Sequence, residues 1–118
     1  MRRNKVVMLV GDEPTRDLLA FWLTQAGGDV TLVDDADDVG AKVAETDAGA
    51  VLTDRLYGIG GQAVTISDIK ARFPGLRLAV VPVRGYLDGD MERLARVVGA
   101  DMVVSTALGR AGLAALIA

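Results

Sequence analysis

The sequence predicts an α/β fold: a single doubly wound, five-stranded parallel sheet flanked by five helices. Three observations lead there. Short apolar runs such as Val6-Val7-Met8-Leu9-Val10 and Ala50-Val51-Leu52 are nearly continuous rather than alternating, the pattern of strands covered on both faces. Between these runs lie stretches with helical spacing of apolar residues, so strand and helix alternate along the chain. That alternation implies a parallel sheet whose strands are joined by right-handed helical crossovers. The chain has 118 residues, the size of one domain, read as spanning 1–118.

Residues 5–10 form the first strand. Pro14 suits the first turn of the helix that follows, where its missing N–H costs nothing, and Asp12 and Glu13 suit the positive end of that helix. The helix runs to about Ala26, with Leu18, Leu19, Trp22, Leu23 and Ala26 on one apolar face, and Gly27-Gly28 ends it. Residues 30–33 are the second strand. The acids that follow, Asp34, Asp35, Asp37 and Asp38, are read as the start of a helix over about 37–45 rather than as a metal site. Val39 and Val43 of that helix point inward.

Residues 49–53 form the third strand. Gly58-Ile59-Gly60-Gly61 matches neither a dinucleotide-binding nor a P-loop pattern and reads as a plain turn. A helix over about 62–73 places Ala63, Ile66, Ile69 and Phe73 on one side, and Pro74-Gly75 stops it. The fourth strand covers 77–81 and ends at Pro82, which has no N–H for a ladder. A helix over about 88–98 closes with Gly99 as its cap. The fifth strand covers 101–105, and a last helix begins near 107. The flavodoxin-like strand order 2-1-3-4-5 is expected, which makes strands one and three neighbours at the topological switch point.

That order concentrates the chemistry. Strand three ends in Asp54 and strand one in Gly11-Asp12-Glu13, so Asp12 and Asp54 are expected to converge at the carboxyl edge, where open α/β sheets bind ligands. Two nearby carboxylates repel unless a proton or cation relieves them. Mg²⁺ is the natural relief, since it takes one or two carboxylates, backbone carbonyls and waters and leaves room for phosphate oxygens. A carboxylate there can attack a phosphoryl group and become an aspartyl phosphate. Spacing alone leaves a second reading open, in which each acid merely caps a helix or solvates a loop end.

Composition narrows the field. The chain has no Cys, so it has no disulfide framework or thiol nucleophile, and no His, the commonest general base near neutral pH. Any phosphohistidine must come from a partner. A net charge of −3 argues against direct nucleic-acid binding, and no apolar run approaches the roughly 20 residues of a membrane span. A cytoplasmic, non-enzymatic protein is expected.

Val10-Gly11-Asp12-Glu13-Pro14, the strand ending in Asp54, Gly99-Ala100-Asp101 and the five-fold layout together resemble the receiver domain of bacterial response regulators, over nearly the whole chain. The resemblance implies a two-component signalling role, with Asp54 accepting a phosphoryl group from a sensor histidine kinase. It implies Mg²⁺ held by Asp12, Asp54 and the backbone carbonyl of Leu56. Near the site it places Gly11, Glu13, Pro82 and Thr106.

The departures from the family pattern are specific. Gly11 stands where the first of two adjacent acids is usual. Pro82 stands where a Thr or Ser hydroxyl is usual, and Thr106-Ala107 replaces Lys-Pro. Val103 replaces the switch aromatic, and the loop after Asp54 is one residue short. Loss of the Lys removes a charge-assisted contact of about 1.5–3 kcal/mol. The chain therefore reads as an atypical receiver. The alternative is a pseudo-receiver that works as a phosphorylation-independent interaction module, and a small enzyme or nucleotide-binding domain has no supporting motif. Tyr86, Leu87, Leu108 and Leu113 are expected to supply apolar area for a homodimer or for the core. On the dimer reading, Leu113→Asp disrupts association without unfolding.

Overall fold

Five strands form one parallel sheet in the order β2-β1-β3-β4-β5. The computed structural model describes residues 1–35, 37–54, 66–81, 99–104 and 109–118. In chain order the elements are β1 (Arg2–Leu9), α1 (Glu13–Gln25), β2 (Asp29–Leu32), α2 (Asp37–Thr46), β3 (Ala48–Thr53), α3 (Ile66–Arg72), β4 (Arg77–Val80), β5 (Met102–Val103) and α4 (Gly109–Ile117). The helix expected over 88–98 lies outside the described residues.

The sheet separates two cores because successive residues of a strand point to opposite faces. Val6, Met8, Ala50, Leu52 and Ala79 pack with Leu19 and Leu23 of α1 and with Leu113 and Leu116 of α4. Val7, Leu9, Val51, Leu78 and Val80 pack on the other face with Val39 and Val43 of α2 and Ile69 of α3. β3 lies between β1 and β4, and all six of its residues are buried. This is why its sequence shows no polar alternation. Each fully buried Leu or Val contributes about 1.5–3 kcal/mol of transfer free energy.

α1 is closed at both ends by local chemistry. Asp12 is its N-cap, with extended φ −79° and ψ 108°. At the other end, the Gly28 N–H donates to Leu23 O (2.8 Å) and the Gly27 N–H to Thr24 O (3.1 Å). Gly27 has φ +96°. This is a Schellman closure, in which a glycine at the left-handed position frees the next amide to reach back to the last turn.

Three expectations need correction. β1 starts at Arg2 rather than at residue 5: Arg2 pairs with Ala48, and the register shifts before Val6 meets Ala50. The polar residues 2–4 hid this, because backbone pairing there does not depend on side-chain burial. Gly49 makes the shift sterically allowable, since a Cβ at that position would lie 2.7 Å from Arg2 O. Leu18 is not on the buried face of α1: it is 41% exposed, while its neighbour Leu19 is fully buried. Leu113 is likewise fully buried between α4 and the sheet, so it supplies core and no dimer surface. Tyr86, Leu87 and Leu108 lie outside the described residues.

Candidate functional site

The parallel register brings the ends of β1 and β3 level, with Leu9 opposite Thr53. Pairing continues one step further, as the Asp54 N–H donates to Leu9 O at 3.2 Å. Asp54 therefore leaves the sheet beside the turn Val10-Gly11-Asp12. Its two carboxylate oxygens meet different surroundings. Oδ2 accepts the backbone N–H of Gly11 at 2.9 Å. Oδ1 is buried and has no hydrogen-bond partner among the described residues.

Asp12 lies on the same edge but has a second task. Its Oδ2 accepts the Thr15 N–H at 3.1 Å and also the Thr15 hydroxyl. Helix capping, the open alternative for this residue, is thus realised, and the Gly11 amide meets Asp54. Glu13 is exposed in the first turn of α1, with its Oε1 3.8 Å from Arg16 Nη2. The acidic run after β2 also serves a helix start: Asp35 Oδ1 accepts the Asp37 N–H at 2.9 Å. Leu56, Pro82 and Thr106 lie outside the described residues.

The donor set suits a hard cation. Asp12 and Asp54 offer only oxygens, and Oδ1 of Asp54, buried with no hydrogen-bond partner among the described residues, is the kind of atom that such an ion satisfies. Among the described residues no group of three or more His, Cys, Asp or Glu side chains comes together. A Mg²⁺ ion does not require one, because it normally keeps several waters.

Asp101 of Gly99-Ala100-Asp101 lies at the opposite edge of the sheet. Its Oδ2 accepts the Leu78 N–H at 2.7 Å and Lys70 Nζ at 2.8 Å, and Lys70 Nζ also donates to Leu76 O. This motif is a clip joining α3, β4 and β5, with no part in the acidic edge. Gly11, which the resemblance places near the site, acts there through its backbone N–H, a role that its side chain does not signal.

A five-stranded parallel sheet in this order is the flavodoxin-like fold. Solved receiver domains share it. The receiver domain of nitrogen regulatory protein C is 24% identical with a TM-score of 0.74, over 99% of this chain and 93% of that one. A CheY-like protein, TadZ, from Pseudomonas aeruginosa is 20% identical with a TM-score of 0.78, over 97% and 96%. NtrX from Brucella abortus is 20% identical with a TM-score of 0.74 over 92% of this chain, which spans only 24% of NtrX. No protein-family model and no curated protein matches the chain. Among the described residues, no helix is long and apolar enough to cross a membrane.

Proposed function

We propose that this chain is an atypical receiver domain of a two-component response regulator, with Asp54 as the phosphoacceptor. The observation that carries the reading is the divided environment of the Asp54 carboxylate. One oxygen is held by the Gly11 N–H, and the other is buried with no hydrogen-bond partner among the described residues, at the edge where β1 and β3 end. In the transfer, Oδ1 forms the new P–O bond as the P–N bond of a phosphohistidine breaks, and the electron pair leaves on the imidazole nitrogen. The chain contains no His, so the phosphohistidine lies outside these residues, on a sensor histidine kinase. The domain then acts as acceptor and signal carrier in the cytoplasm, not as an enzyme with a substrate of its own.

A divalent cation, Mg²⁺ by its chemistry, would be held by Asp54, Asp12 and the backbone carbonyl of Leu56. It would supply positive charge against the phosphoryl oxygens. The Oδ2 of Asp12 also orders the start of α1.

Pro82 and Thr106-Ala107 favour a second reading, an interaction module that needs no phosphorylation. Pro82 has no hydroxyl to follow a phosphoryl group, and no Lys follows β5 to pair with it. One experiment separates the two. The protein is incubated with Mg²⁺ and a small-molecule phosphodonor, then weighed by intact-mass spectrometry beside Asp54→Asn. A phosphoryl adduct on the wild type alone supports the acceptor reading. No adduct at saturating donor and Mg²⁺ overturns it in favour of the interaction module.

A further inference from the structure

We propose that Gly11 is a positioning residue for Asp54, acting through its backbone N–H to decide which carboxylate oxygen the site presents. This rests on the reading of Asp54 as the acceptor, and it adds a role to a position where the receiver resemblance leads one to expect an acid. The terminal torsion of an aspartate is broad and roughly two-fold, so an unheld carboxylate exchanges its two oxygens by rotation. The Gly11 N–H, 2.9 Å from Oδ2, breaks that equivalence. A bond from an amide to an ionised carboxylate is about twice as strong as a neutral one. Oδ2 is thereby committed to the β1 turn, and Oδ1, which has no hydrogen-bond partner among the described residues, is the oxygen offered to phosphorus or to a cation.

Glycine suits this task for an electrostatic reason. An acid at position 11 would put a further negative charge beside Asp54 and Asp12, at a cost that grows as the site is desolvated. A glycine brings the amide dipole with no charge and no side chain. Its φ is not among the left-handed values of this backbone, so the position does not demand glycine conformationally. Gly11→Ala keeps the N–H and Gly11→Pro removes it, so the proline variant is expected to lose the function. Val10, at the end of a strand run, is compatible with a following proline, which favours extended backbone at the residue before it.

The first test is amide hydrogen exchange by NMR, which does not depend on phosphorylation. The Gly11 amide of the wild type is expected to exchange at least about tenfold more slowly than in Asp54→Ala. Equal exchange in the two proteins would overturn the proposal. Saturating Mg²⁺ is expected to leave the Gly11 amide protected, because Oδ1 has two lone pairs and can face the cation with one and phosphorus with the other. Loss of protection on adding Mg²⁺ would show the cation taking Oδ2 and would equally overturn it. The second test is the rate of phosphorylation by a small-molecule donor at saturating Mg²⁺. Gly11→Ala should be phosphorylated faster than folded Gly11→Pro, which should fall about tenfold below wild type, the rate equivalent of about 1.4 kcal/mol. A Gly11→Ala rate as low as that of Gly11→Pro would assign the position a steric role instead. Should the wild type accept no phosphoryl group, the acceptor reading fails, and the exchange comparison still decides whether Gly11 orients Asp54.

Discussion

Replacing Asp101 by Ala should destabilise the domain by about 2 kcal/mol, and replacing it by Asn should cost less than about 1 kcal/mol. The difference follows from what Oδ2 does. It accepts the Leu78 N–H at 2.7 Å and Lys70 Nζ at 2.8 Å. Leu78 is fully buried in β4, so Asp101→Ala strands its amide with no acceptor, a loss of about 1–3 kcal/mol. The ion pair is worth much less. The Lys70 and Asp101 side chains are 27% and 40% exposed, and water screens such a pair to at most about 1 kcal/mol. Asn keeps an oxygen in place for the amide and removes only the charge. Urea denaturation followed by circular dichroism measures both variants. A 2 kcal/mol loss moves the midpoint by roughly 1 M, with an unchanged slope for a chain of this size. Equal losses in Asn and Ala would refute the reasoning, since they would place the energy in the charge pair and not in the buried amide.

Two further predictions concern residues read both ways from the sequence. Leu113→Asp should unfold the domain, because it puts a carboxylate between α4 and the sheet with no partner to meet it; a folded protein with an altered sedimentation profile would restore Leu113 to a surface. Asp12→Ala should remove the α1 N-cap and about 1 kcal/mol of stability, whereas Asp12→Asn should retain the cap and lose only charge. Mg²⁺ titration by NMR should then show weakened binding in both variants with thermal destabilisation in Ala alone, and unweakened binding in Asp12→Asn would take Asp12 out of the cation site.

Much of the fold was legible because its main constraint is one-dimensional. A strand buried on both faces must be apolar at every position, and β3, with six buried residues, follows that rule. Turn chemistry was equally readable: Gly27-Gly28 ends α1 where a left-handed residue and a free amide are needed. Other features failed for definite reasons. Leu18 and Leu19 are adjacent and equally apolar, so periodicity could not say which of the two the sheet would cover. α4 is rich in small and apolar residues on every side, so its sequence does not mark Leu113 as inward. The start of β1 was missed because a strand can pair through its backbone while its side chains stay in water.

The candidate site divides in the same way. Asp54 and Asp12 stand out in the sequence because a carboxylate ending an apolar run is chemically conspicuous, and its position follows from local order. Their surroundings could not be read from local order. Every residue except proline carries the same N–H, so the letter at position 11 does not say that its amide is spent on Asp54. That is decided when β1 and β3 lie side by side with Leu9 opposite Thr53, forty-odd residues apart in the chain and one hydrogen bond apart in space. Local order along the chain tells which residues are apolar, which are acidic and where helices stop. Which oxygen of Asp54 is held follows from folding, because it depends on the approach of a backbone dipole from a neighbouring strand.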